Sequence, residues 1–70
     1  MMPSHIYEKL ELTGSSTLSS DDAINNAIAS AAQTHKNLRW FEVIESRGDI
    51  DNNKVSHWQV TIKVGITRDH

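Results

Sequence analysis

Two long segments of alternating apolar and polar residues, joined by a short polar stretch, most constrain the fold of this chain. They cover residues 38–50 and 55–66. Alternation with a period of two is typical of strands that bury one face. Asn52 and Asn53 lie in the middle of the connection Asp-Asn-Asn-Lys, and asparagine tolerates the left-handed backbone that two-residue turns require. The sequence therefore predicts a long antiparallel hairpin.

A strand and a helix are expected before the hairpin. The alternation of residues 6–12 predicts a half-buried strand. Ser19 or Ser20 then provides an N-cap, and the two aspartates that follow suit the positive end of a helix dipole. A helix over residues 23–36 has a narrow apolar stripe at the spacing of one helical face, which consists of Ile24, Ala27, Ile28, Ala31 and Ala32.

The order β-α-β-β, without internal repeat or linker, predicts one α+β domain over residues 1–70, with an antiparallel sheet curled around the helix. A chain of this length buries only about 60% of the surface that its unfolded form exposes. The 70 residues include no cysteine, so neither disulfides nor thiolate metal ligands can stabilise the fold. We therefore expect oligomerisation to stabilise the subunit.

Charge and hydropathy exclude several kinds of partner. The formal net charge is −2 and the sequence pI is about 6.0, which differs from the basic stripe of a nucleic-acid-binding domain. No apolar run reaches the length of a membrane span, and the first residues lack the pattern of a signal peptide. We expect a cytoplasmic protein that binds neither nucleic acid nor membranes.

The sequence contains no recognisable catalytic or metal-binding motif. There is no nucleophile–base pattern and no glycine-rich phosphate loop. Glu42 and Glu45 differ in parity, so simple alternation places them on opposite faces, unlike a catalytic pair. We therefore expect no enzymatic activity. The histidines lie on different elements without the spacing of metal ligands, and they are His5, His35, His57 and His70.

An uninterrupted hairpin with a two-residue turn fixes which residues face each other. Ile50 then opposes Val55, and further along Glu42 opposes Lys63 and Val43 opposes Ile62, which are favourable cross-strand pairs. One face is then apolar enough to lie under the helix, and Phe41 is expected in the core. The residues of that face are Phe41, Val43, Trp58, Val60, Ile62 and Val64.

The second face of the hairpin, which we call the open face because a single helix cannot cover it, is mixed in character. Apolar surface among hydrogen-bonding groups is typical of a protein contact or a ligand groove. Trp40 is therefore expected to contact another subunit, a ligand, or both. The predicted open face consists of Trp40, Glu42, Ile44, Ser46, Ile50, Val55, His57, Gln59, Thr61 and Lys63.

Four segments, which together cover nearly the whole chain, resemble one family. They are LELTGSS at 10–16, DDAINNAIASAAQTHKNL at 21–38, WFEVIESRG at 40–48 and HWQVTIKVG at 57–65. The set resembles the dodecins, which are small flavin-binding proteins. The resemblance implies a three-stranded antiparallel sheet wrapped around one helix, and twelve such subunits in a hollow homododecamer. It also implies stacked pairs of flavins between neighbouring subunits, with FMN as the usual ligand and riboflavin, FAD or lumichrome as alternatives.

The resemblance also implies roles for individual residues. Trp40 would stack on the isoalloxazine ring, and such stacking adds roughly 0.5–1.5 kcal/mol beyond the buried area. Gln59 would bind the polar edge of the flavin, since its amide is both donor and acceptor. Arg47 holds the position of an arginine that contributes to flavin binding in bacterial members. Simple alternation, without a bulge at Gly48, places it on the helix side, so a flavin contact would require local twist near Gly48 or another subunit. His57 shares the face of Trp40 and could line the site.

One departure concerns a second ligand. Family members commonly continue Val-Gly-Phe-Arg near the C-terminus, whereas this chain has Ile66 and Thr67 in the last two of those places. Some bacterial members bind coenzyme A at a second site, and the departure argues against assigning that site to this chain.

Two functions from different classes remain open. The first is non-enzymatic storage of flavin, which keeps the free, photoreactive ligand at a low concentration. The alternative is a structural homo-oligomer, or a binder of another small molecule, without flavin. A third reading, a weak flavin reductase, would require turnover of the bound flavin with an electron donor.

Overall fold

The computed structural model describes residues 6–68, and His5 and His70 lie outside the described residues. The elements, in chain order, are β1 (Tyr7–Ser16), α1 (Ser20–Thr34), β2 (Leu38–Asp51) and β3 (Lys54–Thr67). The three strands form one antiparallel sheet with β3 in the centre and β1 and β2 at its edges. This architecture confirms the predicted α+β fold with β-α-β-β order.

The helix begins at the N-cap that its sequence favours and ends at the C-cap His35, whose backbone is extended. The Ser19 side chain accepts a hydrogen bond of 2.9 Å from the backbone N–H of Asp22, which satisfies a free donor of the first turn. After the last turn, Asn37 adopts a left-handed backbone with φ of 65° and leads into β2. The alanines that face the sheet are Ala23, Ala27 and Ala31, whereas Ala32 is exposed, contrary to expectation.

The core is small and lies between α1 and the central strand. Its buried apolar side chains are Val60, Ile62, Val64 and Ile66 of β3, with the helix alanines against them. Trp58 is partly buried and packs on this cluster, as expected. Gly14 lets the helix approach closely, because a Cβ atom there would collide with the carbonyl oxygen of Ala23.

The helix packs against β1 and β3 and leaves β2 bare. Every residue of β2 except Leu38 is exposed. Phe41 lies opposite Val64 on the helix side of the sheet but is 44% exposed, so the prediction that it belongs to the subunit core is wrong. The alanine stripe is too narrow to span three strands, and an apolar groove lined by Ile28 and Phe41 remains beside the helix.

The hairpin turns where predicted. Asn52 and Asn53 have φ angles of 54° and 63°, the left-handed conformation of a two-residue hairpin turn. The predicted pairs of Ile50 with Val55, Glu42 with Lys63, and Val43 with Ile62 are all present.

Two irregularities of opposite sense interrupt the ladder between those pairs. Ser56 is an additional residue on β3, since Asp49 pairs with His57 while Ile50 pairs with Val55. Ile44 is an additional residue on β2, since Val43 pairs with Ile62 while Glu45 pairs with Thr61. Each insertion reverses the facing of the residues that follow it. Residues 45–49 of β2 therefore point to the face opposite to the prediction, whereas residues 57–61 of β3 keep the predicted facing.

The inserted residues correct the predicted membership of the open face. Ser46 opposes the buried Val60 and therefore lies on the helix side. Ile50 and Val55 also lie on the helix side, because the Ile44 and Ser56 insertions reverse their parity. These three residues were predicted on the open face, and that prediction is wrong.

Candidate functional site

The open face combines side chains from all three strands and is not covered by the helix. Residues that lie side by side across the three strands form rows on this face. The rows follow from the pairing of both edge strands with β3 and from the alternation of side chains along a strand. The paired residues of the open face are Tyr7, Lys9, Glu11, Thr13 and Ser15 from β1, Trp40, Glu42, Glu45, Arg47 and Asp49 from β2, and His57, Gln59, Thr61, Lys63, Gly65 and Thr67 from β3.

Trp40 lies across the central strand. Its cross-strand partner is Gly65, and the indole occupies the space that a side chain at Gly65 would need. The ring reaches Tyr7 on the far strand, where the two ring centroids are 4.9 Å apart at an interplanar angle of 71°. Trp40 remains 38% exposed, so a part of its surface stays available for contact with another molecule.

Arg47 lies directly opposite Gln59. The prediction that Arg47 points to the helix side is wrong, because the inserted Ile44 shifts the register by one residue and brings Arg47 to the face of Trp40 and Gln59. The next row pairs Asp49 with His57. A guanidinium and an amide side by side can bind carbonyl, phosphate and N–H groups of a ligand.

The pair of Arg47 and Gln59 lies far from the Trp40 indole within one chain. Gly65, beneath Trp40, and Gln59 are separated by six positions on β3, which corresponds to roughly 20 Å at the usual rise per residue of a strand. A ligand stacked flat on Trp40 therefore cannot also reach Gln59 of the same chain. If one ligand contacts both side chains, they belong to different copies of the chain.

Charged side chains fill the rows between Trp40 and Gln59. The Lys9 ammonium donates a hydrogen bond of 2.7 Å to the Glu42 carboxylate across the central strand. This hydrogen bond and the charge of Lys9 hold the pKa of Glu42 below its ordinary value of 4.5, with a smaller contribution from Lys63. Glu42 was expected to pair with Lys63, its neighbour in the ladder, or to contact another subunit. Within this chain its hydrogen bond is to Lys9.

Simple alternation predicted that Glu42 and Glu45 face opposite sides of the sheet, and this prediction is wrong. The insertion at Ile44 brings Glu45 to the open face that Glu42 occupies. The lowered pKa of Glu42 keeps this carboxyl ionised near neutral pH, which makes it a poor proton donor.

The C-terminal positions that depart from the family pattern are part of the packed sheet. Ile66 and Thr67 are each 6% exposed, and Ile66 belongs to the core. Thr67 accepts a hydrogen bond of 3.0 Å from Nε of Arg39. Neither residue offers a charged group to a ligand.

Within residues 6–68, no three histidine, cysteine or carboxylate side chains are grouped in a way that could hold a metal ion. The helix of the described region is too short and too polar to cross a membrane.

Comparisons with known proteins agree with this fold. The model of the Dodecin family matches residues 6–69. The chain belongs to the dodecin family. A Dodecin from Thermus thermophilus is 43% identical over 60 residues, which make up 86% of this chain and 87% of that protein.

Solved dodecin structures are similar over nearly their full length. The dodecin from Streptomyces coelicolor has a TM-score of 0.91 and 40% identity, with 99% of each chain covered. The dodecin from Streptomyces davaonensis has a TM-score of 0.89 and 44% identity, with 97% of this chain and 100% of that chain covered. Membership of the family, inferred from the four sequence segments, is confirmed.

Sequence reasoning missed two residues beside Trp40. Tyr7 and Lys9 have the parity of the open face in β1, and this alternation is visible in the sequence. Their proximity to Trp40 and Glu42 follows only once β1 pairs with β3 from the side opposite β2. The strand order, which alternation does not contain, was the missing information.

Proposed function

We propose that this dodecin binds a flavin, with FMN as the leading candidate and riboflavin, FAD or lumichrome as alternatives. The observation that carries the proposal is the position of Trp40, an indole held over a glycine on an uncovered sheet face. An electron-rich indole and an electron-poor isoalloxazine favour offset stacking. Gln59 and Arg47 share that face and supply the polar contacts, and His57 lines the same end.

We further propose that the site forms between copies of the chain in a homododecamer. The separation of Trp40 from Gln59 supports this arrangement, because one flavin can contact both only if they come from different subunits. The exposure of Phe41 and Val43 on the bare strand supports it too, since apolar side chains at half exposure favour burial against a partner.

The function we propose is storage rather than catalysis. Flavins stacked in pairs between tryptophans leave little room for a substrate over the reactive ring, and close contact with an indole quenches the excited flavin. The protein would then limit free flavin and its photochemistry in the cytoplasm. We propose no nucleic-acid, membrane or metal partner. Coenzyme A is left out of the proposal because Ile66 and Thr67 are buried.

A fluorescence titration of FMN with apo-protein tests the proposal. We expect saturable quenching, and the variant Trp40→Ala should bind FMN about tenfold or more weakly, because it loses both the aromatic stack and the buried area. Trp58→Phe is the matched control, since Trp58 packs on the core and should leave binding unchanged. Size-exclusion chromatography should show the same assembly for all three proteins.

Two results would contradict the proposal. FMN fluorescence that stays unchanged beside an intact oligomer would favour a structural oligomer without flavin. Collapse of Trp40→Ala to monomers with unchanged affinity per folded site would assign Trp40 to subunit contacts instead.

A further inference from the structure

The contact between Trp40 and Gly65 has a specific geometry. A Cβ atom built on Gly65 would meet the indole atoms Cδ2, Cε2 and Cζ2 as its nearest neighbours. These three carbons include both ends of the bond shared by the two rings of the indole. A Cβ atom that approached the edge of the indole would not have these three carbons as its nearest neighbours. The Cβ direction of Gly65 therefore points at the face of the ring. One face of the indole therefore rests on the backbone of β3.

The backbone conformation at position 65 does not require a glycine. None of the glycines in the described region has a positive φ angle, so Gly65 adopts a conformation open to any residue. Within a strand, glycine is a weak choice because it contributes no side chain to packing. The space taken by the Trp40 ring is the remaining reason, since any side chain at Gly65 would displace the indole.

Tyr7 fixes the ring from a second direction. It lies on β1, and Trp40 lies on β2, so the contact spans the central strand between them. The interplanar angle of 71° is that of an edge-to-face pair, the geometry in which the positive edge of one ring meets the negative face of the other. Such a contact opposes both tilting and sliding of the indole.

We propose that Tyr7 and Gly65 are positioning residues, which hold the Trp40 indole flat on the sheet so that its outer face is a fixed platform for a planar ligand. This inference rests on the proposed flavin function for the identity of that ligand. The ordering of the indole itself does not depend on it. A preorganised platform binds more tightly because less conformational entropy is lost when the ligand stacks.

A ligand-free experiment tests the ordering of the ring. The chain has two tryptophans, so Trp58→Phe leaves Trp40 as the single reporter. In that background we expect a near-ultraviolet circular dichroism band from Trp40. Gly65→Ala and Tyr7→Leu should weaken that band and increase quenching of Trp40 emission by acrylamide. Tyr7→Phe keeps the aromatic ring and should retain both signals.

The same variants in the FMN titration test the consequence for binding. Tyr7→Leu should weaken FMN binding about two- to tenfold, the factor that corresponds to one aromatic pair, while Tyr7→Phe stays near the parent. Gly65→Ala should weaken binding similarly. Combined with Trp40→Ala, Gly65→Ala should have no further effect, because the ring it displaces is gone.

The outcomes separate this inference from the proposed function. Unchanged Trp40 signals in Gly65→Ala and Tyr7→Leu would overturn it whether or not FMN binds. Changed signals with unchanged FMN affinity would overturn the positioning role. Absence of FMN binding to the parent, with the expected changes in the Trp40 signals, would support the ordering of the ring and reject flavin as the ligand.

Discussion

The two edge strands flank the same central strand, yet only one of them is packed within the subunit. On β1, Leu10 and Leu12 are partly buried against the core. On β2, the corresponding apolar residues Phe41 and Val43 are about half exposed, although they alternate with polar residues in the same way. Alternation therefore shows that a strand has a face to bury, and it does not show whether the same chain supplies the cover.

The position of the helix accounts for this difference. A short connection leads from β1 into α1, which places the helix over β1 and β3. Its sheet-facing surface consists mainly of Ala23, Ala27 and Ala31, and alanines bring the helix close to the sheet without extending sideways. The second edge strand is left with apolar side chains on both of its faces and an unpaired edge.

The largest effect is expected in the packed region. Ile62 is fully buried between sheet and helix, and Ile62→Ala should lower the free energy of unfolding by about 2–5 kcal/mol, through lost burial and the cavity left behind. Urea denaturation followed by circular dichroism measures it. Val43 is the neighbour of Ile62 on β2. The loss of unfolding free energy in Val43→Ala should instead change with protein concentration, because in the proposed assembly another copy covers Val43. If the effects of Ile62→Ala and Val43→Ala depended equally on protein concentration, the distinction between the packed core and the bare strand β2 would be lost.

A charge on the bare strand should act on assembly. Phe41→Asp should dissociate the oligomer, because covering Phe41 contributes roughly 2 kcal/mol per subunit and a carboxylate there opposes burial. Size-exclusion chromatography with light scattering measures the mass. Asn25→Asp makes the same change of charge at an exposed helix position and should leave the mass unchanged. A Phe41→Asp protein that elutes like the parent would show that this part of β2 is not an interface.

The smallest effect should come from the ion pair that joins the two regions. Lys9 on β1 lowers the pKa of Glu42 on β2, so the pair stabilises the fold above the ordinary pKa of 4.5 and loses its contribution as the pH falls below it. Glu42→Gln should reduce the fall in melting temperature with decreasing pH in this range, measured by thermal unfolding at a series of pH values. Lys9→Gln should have the same effect, and the double variant no more than either one. A steep acid dependence that persists in Glu42→Gln would assign it to other groups.

Much of this architecture could be predicted because local patterns suffice for it. The turn at Asn52 and Asn53, the N-cap at Ser19 and the alternation of the hairpin are each properties of neighbouring residues. The pairing of Glu42 with Lys63 and the exposure of Trp40 on the open face followed from counting outward from the turn.

The facing of Arg47 could not be predicted in this way. The insertions at Ser56 and Ile44 compensate each other. The pairs from Trp40–Gly65 to Val43–Ile62 and the pair Ile50–Val55 therefore obey simple counting, while the pairs between them are shifted by one residue. Residues 45–49 of β2 read Glu-Ser-Arg-Gly-Asp and include no large apolar side chain, so no alternation indicates which face they take. The contact of Tyr7 with Trp40 was out of reach for a different reason, because it depends on which strand lies in the centre of the sheet.

The left-handed turn at Asn52 and Asn53 also has a kinetic consequence. Hairpin pairs near a turn are local in sequence, and hairpins form in about 1–10 µs. Contacts of β1 with β3 join distant residues, such as Thr13 and Thr61 at a separation of 48, and close a longer loop. The hairpin is therefore expected to fold first. In the proposed homododecamer, its apolar edge then remains open to aggregation until another copy covers it, so the rate of subunit encounter would determine the length of that exposure.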